Sequence, residues 1–375
     1  MILIFGLCFL FLVFSAFGIG AKGKWAFSQP VSQKSGYCSR EMTASVNGYF
    51  LTTVFMTHLI QYMSWSIYGP LDIMYIEVNR ALGQLIVAMF LFYSGYGVME
   101  SLRHKKGYIS SFPKRRLLPF FVNFEIAAVI YLFVSCATNQ TPTFWYALKG
   151  FAAWESLGNS NWYVFAILYL YVVTYIVFRI RETKWFRKMP LWFAVFGIVF
   201  LSGIYILWMR HAGKGGWWYD TILCYSAGMF FALGRETFEK WLAGGKRYLR
   251  YVASLVFAVA IFALFYSMRA EHKMYFEIVS VTFAIVVVLL TMKFRASNRV
   301  YTFIGQNLFS FYIYQRIPMI LLKDSLGKGN AVVYLLVCAV LTAGISLLMI
   351  RFYRRLKKIF ALKNVYSPRF RKKYR

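Results

Sequence analysis

The stretch Asn330-Ala-Val-Val-Tyr-Leu-Leu-Val-Cys-Ala-Val-Leu-Thr-Ala-Gly-Ile-Ser-Leu-Leu-Met-Ile350 carries no charge, and Arg351, Arg354, Arg355, Lys357 and Lys358 follow it at once. At a rise of about 1.5 Å per residue, such a run spans the ~30 Å hydrocarbon core of a bilayer. Basic residues gather at the cytoplasmic ends of membrane helices. The stretch therefore reads as a membrane-crossing helix that leaves the C-terminus inside.

Working outward, further apolar stretches fall near 2–19, 48–66, 81–101, 118–137, 161–178, 190–208, 219–234, 250–267, 275–292 and 300–322. With 330–350 they predict an all-α integral membrane protein, a polytopic bundle of about eleven transmembrane helices. The 300–322 segment is the least span-like, because it is polar and carries Arg316. Composition agrees: of 375 residues, 60% are hydrophobic and 15% charged, where soluble chains carry about a quarter charged. Disordered, collagenous and disulfide-scaffold classes are excluded, with Gly at 26, Pro at 8 and Cys at 5.

Charge placement sets the orientation. Of 43 Lys and Arg, 34 lie in 20–47, 102–117, 179–189, 235–250, 293–299 and 351–375. Eleven spans with the N-terminus outside put all six segments in the cytoplasm. The net charge of +30 thus reads as membrane topology and contact with anionic lipid, not nucleic-acid binding. No charge precedes the first apolar run, and Lys22 and Lys24 follow it. A secretory signal has the opposite arrangement, so the run reads as a retained helix. Residues 1–39 then form an N-terminal helix and cytoplasmic loop, 40–350 the main transmembrane domain, and 351–375 a basic tail.

The five cysteines, Cys8, Cys38, Cys136, Cys224 and Cys338, have no metal or redox spacing and read as packing residues. No metal site is expected. Dinucleotide fingerprints and phosphate-binding loops of ATP-driven transporters are absent from the sequence.

Ionisable groups inside spans are expensive and mark candidate sites. His58 is the clearest, about 15 Å along its helix from Gly48 and so near the midplane. A neutral imidazole there can serve as a base or as a hydrogen-bonded structural group. Asn47 lies eleven residues earlier, on the same face about 16 Å away. Lys114, Arg115 and Arg116 precede Pro119, which suits a first helical turn. Cations beside a helix start suit a phosphate group, although the positive-inside rule alone explains their number. Glu100 and His104 lie near a cytoplasmic helix end, where water can solvate them. Arg316 needs a partner, with Glu125, Glu277 and Asp220 as the acids at hand. On the outer side, Phe144-Trp-Tyr146, Trp154, Trp162-Tyr163 and Trp217-Trp218-Tyr219-Asp220 suit either an interfacial belt or sugar faces.

Four stretches in this order resemble the acyltransferase 3 family of bacterial membrane O-acyltransferases, including its polysaccharide-modifying members. They are Arg40-Glu-Met-Thr-Ala-Ser-Val-Asn47-Gly48 running into the His58 helix, Phe92-Tyr-Ser94-Gly95-Tyr96-Gly97, Arg116-Leu-Leu-Pro119, and Ser310-Phe-Tyr-Ile-Tyr314-Gln-Arg316. Asn161-Trp162-Tyr163 also fits. Two positions depart from the family pattern: Asn47 stands where a cation is expected, and Pro113 where the first Arg of an Arg-x-x-Arg pair is expected. The resemblance implies a ten-helix core with one added N-terminal helix, in the bacterial cytoplasmic membrane. It further implies transfer of an acyl group, most often acetyl, from cytoplasmic acyl-CoA to a hydroxyl of an envelope polysaccharide or glycolipid, with no permanently bound cofactor. On that reading His58 is the base, and Asn47, Lys114, Arg115 and Arg116 hold the donor. Tyr163, Ser310 and Tyr314 are equal candidates for oxyanion stabilisation, the acceptor approaches over Trp162, Trp217 and Trp218, and Arg316 is a structural or substrate contact. The alternative is an exporter, flippase or scaffold subunit of a surface polysaccharide pathway, for which His58 would be dispensable.

Overall fold

A computed structural model describes residues 36–63, 70–272, 274–293 and 298–365, and among these the secondary structure is entirely helical. The first half contains α1 (Arg40–Gln61), α2 (Pro70–Leu82), α3 (Leu85–His104), α4 (Tyr108–Phe112), a π-turn (Pro113–Leu117), α5 (Leu118–Ala137), α6 (Phe144–Phe151) and α7 (Asn161–Arg181). The second contains α8 (Leu191–His211), α9 (Leu223–Ala243), α10 (Arg247–Ser267), α11 (Tyr275–Thr291), α12 (Arg299–Gln306), α13 (Leu308–Tyr314), α14 (Arg316–Leu322) and α15 (Ala331–Val365). Local signals set several starts. Ser39 accepts from the Met42 amide at 3.1 Å to open α1, and Asn298 accepts from the Val300 amide at 2.8 Å to open α12.

Six helices among the described residues are long and apolar enough to cross a membrane: Ile76–His104, Tyr108–Ala137, Asn161–Arg181, Leu191–His211, Arg247–Ser267 and Ala331–Leu356. The stretches expected at 48–66 and 219–234 form α1 and α9, of 22 and 21 residues, which are more polar. The stretch at 275–292 forms the shorter α11, of 17 residues. The expected first span at 2–19 lies outside the described residues. The outer helices turn large apolar side chains outward, among them Phe193, Phe196 and Phe200 on α8 and Val256 and Phe257 on α10. Apolar patches of that extent need an apolar solvent. The chain is a multi-pass membrane protein.

The centre of the bundle is α3, whose apolar window is 72% buried against 11% for α10. Two backbone-to-backbone contacts hold it. A Cβ added at Gly95 would lie 1.9 Å from the Tyr225 carbonyl oxygen, and one at Gly228 would lie 2.0 Å from that of Phe92. The helices α3 and α9 thus touch at reciprocal glycines. The pair α1 and α12 repeats the device: a Cβ added at Gly48 would overlap the Tyr301 carbonyl, and one at Gly305 that of Ala44. In lipid, close packing at small residues takes over from hydrophobic association. The residues Gly48 and Gly95 of the resemblance motifs are therefore packing positions.

The stretch 300–322 is not one unbroken helix. It breaks at Asn307 and Gln315 into α12, α13 and α14. Pro318 has no amide hydrogen to bond the Tyr314 carbonyl, so an unbroken helix is disfavoured there. Side chains replace the missing ladder. The carbonyls of Ile313, Tyr312 and Met319 accept from Tyr131 Oη at 2.6 Å, Gln315 Nε2 at 3.0 Å and Tyr334 Oη at 2.8 Å. Those of Gln315 and Ser310 accept from Thr342 at 3.4 Å and Ser346 at 3.3 Å. Irregular backbone persists at membrane depth only where protein satisfies it in this way.

At the basic end, Arg103 pairs with Glu100 and Glu236, both at 3.1 Å. Arg235 faces Glu239 at 3.6 Å, and Tyr37 donates to Glu239 at 2.7 Å. Glu100 is therefore tied into a network joining α3 to α9, with His104 at 3.7 Å. Burial pushes the Cys38 thiol beside this network up to about 12, against the opposing pull of Arg235.

Candidate functional site

The α1 helix runs unbroken to Gln61, so His58 sits in its last turn and Tyr62 follows four residues later on the same face. The loop 156–160 brings Ser160 to the imidazole: His58 Nε2 and the Ser160 hydroxyl are 3.3 Å apart. The break at Gln315 turns Arg316 toward the same point. Its Nη1 donates to the Ser160 hydroxyl at 3.2 Å and its Nε to Tyr62 Oη at 2.9 Å. The guanidinium also lies over the Tyr62 ring, 5.3 Å from its centroid, within the roughly 6 Å of a cation–π contact. Three distant parts of the chain thus converge on one hydroxyl.

The partner of Arg316 differs from the acids expected. Glu277 pairs with Arg210 at 3.1 Å, and no acid stands among the described hydrogen-bond or ion-pair partners of Arg316. An uncompensated cation beside a neutral base is costly in a buried setting, and it is suited to a charge that develops during reaction. Around the cluster, His58 Nδ1 and Asn159 Nδ2 are buried without a protein hydrogen-bond partner, and the Tyr312 hydroxyl faces that of Ser160. Buried polar atoms are ordinarily satisfied, so these orphaned groups have capacity for water or substrate.

Tyr163 is buried beside the cluster, its ring 5.3 Å from that of Tyr312 and 6.0 Å from that of Phe90. Trp162 packs edge-on to Tyr163 at 5.9 Å. Tyr314 and Ser310 belong elsewhere. The Tyr314 hydroxyl bonds that of Tyr353, which donates to the Asn123 carbonyl at 3.0 Å. Ser310 is buried where α13 meets α15, its carbonyl taken by Ser346. Both fasten the broken segment to α15.

The donor-side residues separate into two places. Asn47 lies on α1 against α12, with its Oδ1 buried and unpartnered. Lys114 and Arg115 are exposed on the π-turn, which packs against α4, α5 and α7. The free helix N-terminus expected beside these cations is absent, because the backbone is helical from Tyr108 to Ala137. The wider π-turn, closed by the Leu118 amide on the Pro113 carbonyl, absorbs the two prolines. Arg116 is exposed like Lys114 and Arg115, with the Tyr108, Tyr171 and Tyr225 side chains within electrostatic reach of its guanidinium. Beyond it, Tyr171 and Ser94 hydroxyls meet at 3.1 Å, and Tyr225 and Thr174 at 3.0 Å. Tyr163 lies two turns along α7 from Tyr171, about 12 Å. A row of hydroxyls therefore leads from the basic end to the His58 cluster.

The aromatic cluster at the other end is already occupied. Lys214 lies over the rings of Trp154 and Trp218, at 4.4 and 4.7 Å, and donates to the Trp154 carbonyl at 2.8 Å. Trp154 stacks on Trp208 at 5.5 Å. The Trp218 ring faces the protein's own lysine, while Trp217 remains half exposed.

Sequence reasoning missed Ser160, Tyr62, Tyr312 and Asn159. The polar triplet Asn159-Ser160-Asn161 at the head of an apolar helix was the available signal for two of them. Among the described residues no group of three His, Cys, Asp or Glu is placed to hold a metal ion.

Fold and site together define a multi-pass helical protein with a half-buried base and cation that meet at a buried hydroxyl. The acyltransferase 3 family model, described as an acyltransferase domain, matches residues 48–351. The chain belongs to that family, and is a membrane acyltransferase. No curated protein and no solved structure matches it.

Proposed function

We propose that this protein moves an acyl group, acetyl by preference, from cytoplasmic acyl-CoA to a hydroxyl of a bacterial cell-envelope polysaccharide or glycolipid. The observation that carries the proposal is the His58 imidazole held 3.3 Å from a hydroxyl that Arg316 also contacts. A base and a cation meeting at one hydroxyl fit the deprotonation of an alcohol and the stabilisation of the oxyanion that follows. His58 takes the proton as the acceptor oxygen attacks the thioester carbonyl. The C–O ester bond forms, the C–S bond breaks, and the proton leaves with the CoA thiol. Arg316 faces the developing oxyanion, with Tyr163 and Tyr312 beside it. Lys114, Arg115 and Arg116 receive the CoA phosphates, and the pantetheine arm follows the row of hydroxyls and passes Asn47. The setting is the cytoplasmic membrane, crossed eleven times, with the N-terminus outside and the C-terminus and basic tail against anionic lipid inside.

A second reading has one observation in its favour. Ser160 itself occupies the place of the alcohol, so it could accept the acyl group first and pass it on. Ser160→Ala separates the two: direct transfer retains sequential kinetics, whereas a Ser160 ester requires ping-pong kinetics and loses all transfer. The proposal as a whole is tested with labelled acetyl-CoA and envelope glycan in membranes that contain the native chain or lack it. Base-labile label on glycan, dependent on the chain, is expected. Export of glycan with no label on it would contradict the reading.

A further inference from the structure

At the end of the bundle away from the basic loops, a cavity of about 430 Å³ opens between the end of α5, α6, the 156–160 loop and α14. Its size falls within the roughly 300–1,000 Å³ of small-molecule sites. Polar groups converge on it: Tyr62, Ser135, Thr138, Gln140, Ser156 and Lys323 all contribute to the lining. The walls are fastened. Ser135 Oγ donates to the Leu157 carbonyl at 3.2 Å, and Tyr146 Oη donates to that of Ser156 at 3.1 Å. Gly158, also in the lining, has φ +100°, a conformation only glycine takes without strain.

Two features tie this cavity to the reacting groups. Tyr62 lines it and also holds Arg316, and the loop that forms its floor continues directly into Asn159 and Ser160. Its charge is one-sided as well: among the described lining residues Lys323 is the one cation, and none of them is a carboxylate. By contrast, the aromatic face at Trp218 is closed by Lys214.

We propose that this cavity is the acceptor subsite, and that it takes a saccharide bearing an acidic group, a carboxylate or a phosphate. Lys323 meets the anion, Thr138 and Gln140 meet ring hydroxyls, and the hydroxyl to be acylated points past Tyr62 toward His58. The chemistry rests on the acyl-transfer reading above, but the binding does not.

The test uses the full chain in membranes with Cys136→Ser and Thr138→Cys, labelled by a thiol reagent. The probes are digalacturonate, glucose 1-phosphate and neutral galactobiose. An acidic probe is expected to slow labelling about tenfold more than galactobiose, the scale of one hydrogen bond to a charged group. Lys323→Gln is expected to erase that difference. Protection by digalacturonate or by glucose 1-phosphate identifies the anion as carboxylate or phosphate. Equal protection by all three probes, or none by any, overturns the proposal. In the same membranes, Pro142→Trp, at a lining position with no polar side chain, narrows the cavity and is expected to cut glycan acylation at least tenfold while acetyl-CoA hydrolysis without glycan stays unchanged. An equal fall in both rates also overturns it. Protection by an acidic probe in a native chain that neither transfers nor hydrolyses acetyl-CoA would sink the acyl-transfer reading and leave the binding site standing.

Discussion

At the residue scale, the protein concentrates its chemistry in a few polar atoms within an apolar bundle. His58 and Arg316 share the Ser160 hydroxyl, so they do not act independently. Removing a positioned oxyanion partner typically costs about 10²–10³-fold in rate. Arg316→Ala is expected to lower transfer by that order, and Arg316→Lys by less, since it keeps the charge but loses the fork that holds Tyr62 and Ser160 together. Steady-state rates at saturating acetyl-CoA, at matched protein levels, check this. At the other end of the bundle, the Cys38 thiol has a pKa raised to about 12 by burial. It therefore stays protonated through neutral pH, and the thiolate is the reactive form. Iodoacetamide at pH 8 is expected to leave Cys38 unmodified in the folded protein and to modify it after denaturation. Mass spectrometry of the tryptic peptide reads the result.

At the element scale, two devices hold the site: glycine contacts and a broken helix. At Gly95 a Cβ would press on the Tyr225 backbone, whereas at Gly97 it meets nothing within 4 Å. Overpacking costs about 1–3 kcal/mol, while alanine in place of an unconstrained helical glycine gains roughly 0.5–1 kcal/mol. Gly95→Ala is therefore expected to lower the midpoint of thermal unfolding in detergent, and Gly97→Ala to leave it unchanged or raise it. In the broken segment, Tyr131→Phe leaves the Ile313 carbonyl without its donor, at a cost of about 1–3 kcal/mol. Because that carbonyl lies three residues before Arg316, the same change is expected to depress transfer as well as stability. Hydropathy alone could place α3, α5, α7, α8, α10 and α15, because each is a long uninterrupted apolar run. It had no means of placing the breaks at Asn307 and Gln315, which depend on donors from Tyr131, Tyr334, Thr342 and Ser346 far away in the chain. His58 and Arg316 stood out as ionisable groups among apolar residues. Ser160 did not, since its role comes from a fold that spans 102 residues to His58 and 156 to Arg316.

At the scale of the whole molecule, the basic loops, the row of hydroxyls, the His58 cluster and the cavity lined by Lys323 lie in sequence along the bundle. This order suits a donor and an acceptor that approach from opposite sides. The proposed topology predicts that an impermeant maleimide labels Thr141→Cys in intact cells and labels Lys184→Cys only after the membrane is opened. The reverse pattern would invert the account. The most direct test of its central claim compares the native chain with His58→Gln at equal levels in membranes supplied with labelled acetyl-CoA and envelope glycan. Glutamine keeps hydrogen-bonding capacity and removes the basic nitrogen. General-base catalysis contributes about 10²–10⁴-fold, so label on glycan is expected to fall by that order. Transfer that persists at the native rate in His58→Gln would contradict the claim.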